Sequence, residues 1–168
     1  MNLRNRMNDA IGMSLNQKVG YEVEKFPIER TLNIDTGINT SITVKQGDHN
    51  SRLLKLTLLK TSRVALDLTG TTVYLFVKKP NDDVTRIEGE INSTSVGLVN
   101  FSFNKESLSV AGTCSCEVVR VGSDNSTLSF PLFLLKVDES IYKDTMIAIV
   151  NDDEFSLIDN VVPINNMN

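Results

Sequence analysis

Tryptophan is absent, histidine occurs once and cysteine twice. Aromatic residues make up only 6% of the chain, so an interior built from it must be mainly aliphatic. The lone histidine, His49, is the one base a histidine-dependent triad could use. It sits in Gly47-Asp48-His49-Asn50-Ser51, a polar turn. Ser51 is its chain neighbour and no third group orients the ring, which a triad requires. The two cysteines, Cys114 and Cys116, stand too close to close a loop. In a strand both project from one face. They read as two small buried residues, because a zinc site needs about four ligands and no second pair exists. This usage fits synthesis in a reducing compartment and excludes a disulfide scaffold.

Other absences narrow the function classes further. No cluster of lysine and arginine runs along the chain, so the electrostatic footprint of a nucleic-acid binder is missing. No apolar run approaches the roughly 20 residues that cross a bilayer. The opening Met1-Asn2-Leu3-Arg4-Asn5-Arg6 lacks the apolar stretch of a secretory signal. The nine glycines are scattered, so no phosphate-cradling loop forms. No cofactor is expected. Net charge is −4, and it is uneven: from Asp138 to Asp159 seven acids stand against Lys143 alone.

What is present is a change of rhythm along the chain. In residues 1–29, Leu3, Met7, Ile11 and Leu15 recur every fourth position, a short helical stripe that Asn16 and Gly20 end. Tyr21 to Lys25 then alternates as an extended arm, closed by Pro27. Residues 30–137 switch to period two. Leu32 and Ile34 open it, followed by Leu54, Leu56 and Leu58, then Val73, Leu75 and Val77. Val99, Phe101 and Phe103 come next, then Cys114, Cys116 and Val118, then Leu128, Phe130, Leu132 and Leu134. Such alternation marks strands with one buried face. Turn residues separate them at Gln46-Gly47-Asp48, Thr69-Gly70, Pro80-Asn81-Asp82-Asp83, Val96-Gly97 and Gly122-Ser123-Asp124-Asn125. Lys105 to Val110 is the one place in this region for a helical turn. Many short strands at this spacing predict two facing sheets. In residues 138–168, Ser140 to Val150 fits helix or strand, while Phe155, Ile158 and Val162 lie at helical spacing. Asp152 and Asp153 suit a helix start there, and Pro163 a stop.

Two further patterns could carry chemistry. Asn81-Asp82-Asp83 lacks the alternating ligands and distant glutamate of a calcium loop, so it reads as a hairpin turn. Glu88 and Glu90 at strand spacing would share one face about 7 Å apart, a separation open to a glycosidase pair. Alternating polar residues on a solvated face explain them without catalysis, and the chain is expected not to be an enzyme. The three tyrosines, Tyr21, Tyr74 and Tyr142, are too dispersed for a sugar-stacking platform.

An ordered set of motifs carries a resemblance. Arg30-Thr31-Leu32-Asn33-Ile34-Asp35 looks like an opening strand. Gln46-Gly47-Asp48-His49-Asn50-Ser51 fits a Gln-x-Asp-x-Asn-[Ser/Thr] turn. Asp67-Leu68-Thr69-Gly70 leads into Val73, Gly97-Leu98-Val99-Asn100-Phe101 fits Gly-x-Val-x-Phe, and Ala111-Gly112 precedes a strand with Glu117. Ser129 to Ile141 looks like a closing strand. Together these cover about two thirds of the chain, and they resemble the N-terminal domain of siphophage baseplate upper proteins. The resemblance implies an all-β, Ig-like antiparallel β-sandwich, here with an N-terminal helical and extended arm and a partly helical C-terminal tail.

It also implies a virion structural protein at a tail baseplate or fibre base, synthesised in the host cytoplasm. Its partners would be other virion proteins, a baseplate hub or a fibre, and copies of itself, with a trimer favoured. The stripes Leu3, Met7, Ile11, Leu15 and Phe155, Ile158, Val162 are the candidate contacts, because they lie outside the sandwich pattern. The first stripe suits packing on its own sandwich equally well. Family members often begin near the first strand and run on into long fibre regions. The 29 residues in front and the stop at Asn168 leave a short adaptor and a truncated chain both open. Rival readings are a head-fibre base using the same domain and a carbohydrate-binding module contacting the host cell wall. The second calls for an exposed aromatic cluster.

Overall fold

The computed structural model describes residues 23–38, 41–61 and 63–141. The candidate contacts Leu3, Met7, Ile11, Leu15, Phe155, Ile158 and Val162 lie outside these residues, as do the expected N-terminal helix and the C-terminal one.

Among the described residues the ordered elements are all strands. The first sheet has the order β1 (Phe26–Asn33), β3 (Arg52–Thr61), β8 (Leu98–Ser102), β7 (Glu90–Ser93), with β4 (Val64–Ala65) beside β3. The second has the order β2 (Ile42–Lys45), β11 (Phe133–Asp138), β9 (Gly112–Gly122), β5 (Thr71–Lys78), β6 (Val84–Glu88), with β10 (Thr127–Ser129) beside β9. Leu54, Leu56, Leu58, Val99 and Phe101 of the first sheet share one buried cluster with Val73, Leu75, Val77, Cys114, Cys116 and Val118 of the second. Alternation along each strand turns these positions inward, and facing sheets then remove them from water together. The all-β sandwich expected from the rhythm is the fold observed.

The sheets are mixed, where wholly antiparallel pairing was expected. β1 runs parallel to β3, and β11 parallel to β2. The first parallel pair is possible because the chain leaves β1, contributes β2 to the opposite sheet, and returns as β3, a crossover long enough for parallel neighbours. Alternation has the same period in either direction, so it carries no sign of this. β1 also starts at Phe26, and Pro27 lies within it, paired with Leu53. Pro27 was expected to close the arm. It is tolerated because β1 is an edge strand, where a missing N–H costs no ladder bond. Arg30, opposite the core residue Leu56, puts a cation on the inward side of that same edge. Inward charge on an edge hinders pairing with stray strands.

The expected run Leu128, Phe130, Leu132, Leu134 changes phase at Pro131. Phe130 is buried, but beyond Pro131 the buried residues are Phe133, Leu135 and Val137, while Leu132 and Leu134 are 65% and 52% exposed. Proline has no N–H for the ladder, so β10 stops before it and β11 restarts with the opposite face inward. The stretch Lys105–Val110 forms turns. Asn104 and Ser107 cap each other there, Ser107 N–H donating to Asn104 Oδ1 at 2.8 Å and Asn104 N–H to Ser107 Oγ at 3.2 Å.

Candidate interaction surface

The sequence motifs prove to hold turns. Asp48 Oδ2 accepts the Lys45 N–H at 3.0 Å, and Ser51 Oγ donates to the Asp48 carbonyl at 2.9 Å. Asn50, at φ +61°, donates its N–H to the Phe103 carbonyl at 2.7 Å. Gln46 donates its N–H to the Asp138 carbonyl at 3.0 Å and Nε2 to the Ser109 carbonyl at 3.1 Å. Its Oε1 accepts the Ser140 N–H at 3.3 Å. Gln46 therefore ties the end of β2 to the end of β11 and to the 104–110 turns, Asn50 ties the turn to Phe103, and Asp48 and Ser51 close the turn itself. Lys79 joins the same seam: it is buried, and its ammonium donates to the Glu106 carbonyl and to Ser109 Oγ.

Asp67-Leu68-Thr69-Gly70 is likewise a turn. Asp67 Oδ1 accepts both the N–H and the hydroxyl of Thr69, at 2.9 and 2.7 Å. These bonds hold the Asp67 carboxyl below its ordinary range, with the hydroxyl bond the largest cause. The fully buried Leu68 donates its N–H to the Thr94 carbonyl, pinning the turn to the end of β7. Gly97 of the Gly-x-Val-x-Phe motif sits at φ +67°, and a Cβ there would stand 2.5 Å from the Leu58 carbonyl oxygen. Only glycine fits that position.

None of the reactive candidates is assembled into a site. His49 is half-buried in its turn, and the Ser51 hydroxyl beside it is engaged with Asp48. Cys114 and Cys116 are free, buried and on the core face of β9, as their spacing predicted. Burial pushes both thiols up, Cys116 far beyond the reactive range. Asn81 and Asp83 bond to each other within the β5–β6 hairpin, and Asp82 pairs with Lys78 at 3.3 Å. Glu88 and Glu90 do not share a strand face. The chain passes from the second sheet to the first at Gly89, so Glu88 pairs with Tyr74 and Glu90 with Asn100. Gly89 makes this crossing possible, since a Cβ would lie 2.5 Å from Val99 Cγ2 and 2.8 Å from Phe101 Cε1. Among the described residues no cluster of histidine, cysteine and carboxylates could hold a metal ion. No helix among them is long and apolar enough to cross a membrane.

The two outward faces differ. Glu29, Thr31, Lys55, Thr57 and Leu98 of the first sheet line a shallow polar groove that Arg30 bounds at the β1 edge, with Glu29 and Lys55 paired at 3.0 Å. The second sheet carries aromatic and aliphatic side chains. Tyr74 and Phe76 stand on its outer face with ring centroids 6.4 Å apart, and the Arg86 guanidinium lies 4.9 Å from the Tyr74 centroid. Counting tyrosines alone missed this pair. Its signal was the i, i+2 spacing of two aromatics in an alternating strand. Two rings tilted at 51°, one of them already stacked by arginine, do not make the flat platform of a sugar site.

These features define a class: an all-β sandwich whose diagnostic motifs are spent on turns and inter-sheet ties. The chain belongs to the baseplate upper protein family, its residues 17–165 matching the BppU N-terminal domain. The family gives it a structural role in the phage tail. Among solved structures it is similar to the N-terminal domain of phage TP901-1 ORF48, at 13% identity and a TM-score of 0.56. That likeness, which concerns the fold, covers 67% of this chain and 98% of the other. No curated protein matches.

Proposed function

We propose that the domain anchors a receptor-binding or fibre element to the tail baseplate through protein–protein contacts, as a homo-oligomer with a trimer favoured. The carrying observation is family membership over nearly the whole chain. The architecture supports it, because the motif residues stiffen a scaffold whose polar groups face one another across turns. In this reading the apolar stripes Leu3, Met7, Ile11, Leu15 and Phe155, Ile158, Val162 carry the assembly contacts, since helices can bundle about a symmetry axis. No reaction is assigned to the domain.

Light scattering at one low concentration tests the arms, comparing the full chain with residues 23–141. The full chain is expected to be a defined oligomer and the sandwich alone smaller. Equal assembly of both would remove the arms from the reading.

A further inference from the structure

The outer face of the second sheet has a composition that a solvated face does not need. Tyr74 and Phe76 stand on it, and the phase change at Pro131 turns Leu132 and Leu134 outward on the far side of β9. Leu134 pairs with Ser115, whose next outward neighbour on β9 is Glu117. The charges are ordered about Phe76. Arg86 on β6 pairs with it from one side and Glu117 on β9 from the other. Both flank the ring at about one strand spacing, 4.8 Å.

That order is self-complementary. A twofold axis laid along β5 at Phe76 brings a second copy's face onto the first with the row reversed. Arg86 then meets Glu117 of the second copy, Glu117 meets Arg86 of the second copy, and ring meets ring. A face of one sign would repel its own copy; this one forms the Arg86–Glu117 pair twice, as an isologous contact requires, while Lys78 stays paired with Asp82 of its own chain.

We propose that the outer face of the second sheet is a self-association surface, occupied by the same face of a second copy, with reciprocal Arg86–Glu117 pairs around a Phe76 centre. The face is small. Four strands and about five residues along each give about 300 Å², against about 800 Å² per partner in a stable interface. The contact is therefore weak alone and grows with concentration or when other contacts hold many copies together. It rests on the homo-oligomeric part of the reading above and adds a second contact to the arms.

Sedimentation of the full chain over a wide concentration series tests it. The wild-type mass is expected to double as concentration rises. Arg86→Glu and Glu117→Arg should each weaken that step at least tenfold while melting as the wild type does. An equimolar mixture of the two variants should recover it, because each then presents the charge the other lacks. The double variant Arg86→Glu/Glu117→Arg should recover it unaided. Single variants that associate like the wild type, or a mixture that does not recover, would overturn the proposal. A constant oligomer of the wild type defeats this face alone, whereas a monomer at every concentration defeats the homo-oligomeric reading with it.

Discussion

The Ser140 amide donates to the Gln46 side-chain carbonyl at 3.3 Å, across 94 positions of sequence. One side chain thereby fixes where the chain leaves β11 relative to where β2 ends. Replacing Gln46 by alanine removes two side-chain bonds, each contributing about 0.5–1.5 kcal/mol. A melting temperature lower by several degrees is expected, with faster hydrogen exchange at Ser140. An unchanged exchange rate would show that the bond does not hold this exit.

Gly89 tests the crossing between sheets. Adding one methyl group drives it into Val99 and Phe101. Gly89→Ala is expected to cost about 1–3 kcal/mol, the usual range for overpacking. Chemical denaturation measures it. A neutral result would mean that the crossing strand can move away from the core.

The thiols offer a test of the interior. Cys114 and Cys116 are buried on the core face of β9, and burial raises both. At pH 8 an aromatic disulfide reagent should find neither in the folded chain and both after denaturation. Rapid modification of the native protein would contradict the sandwich packing.

Acid stability has a defined sign. Asp67 and Asp124 are both held below their ordinary value of 3.8, chiefly by the hydroxyls of Thr69 and Ser126. A depressed folded value adds stability above the unfolded value, and that increment is lost as pH falls through the folded one. Melting temperature should therefore decline below about pH 4. The double variant Asp67→Asn/Asp124→Asn should decline less across the same window. Both carboxyls are exposed, so the difference is small.

The long central strands were legible because their apolar residues alternate: Leu54, Leu56 and Leu58, or Val73, Leu75 and Val77, admit one buried face. Two of the edge strands were not. β6 reads Val-Thr-Arg-Ile-Glu and β7 Glu-Ile-Asn-Ser, too short and polar to stand out from turns. Strand direction leaves no mark on a period of two, so both parallel pairs were hidden. The phase of Leu132 and Leu134 was lost for a different reason: Pro131 restarted the pattern, and only its missing N–H signalled the break. Of the interaction surface, Tyr74 and Phe76 were readable as neighbours on one strand face. Their flanking by Arg86 and Glu117 was not, because it depends on register between strands far apart in sequence.

Mass spectrometry of purified particles of the phage that encodes this chain, with tails separated from heads, tests the structural role most directly. Its peptides should appear in the tail fraction, in a fixed ratio to the other tail proteins. Their absence from the particle, or their confinement to the heads, would contradict the assignment to the baseplate.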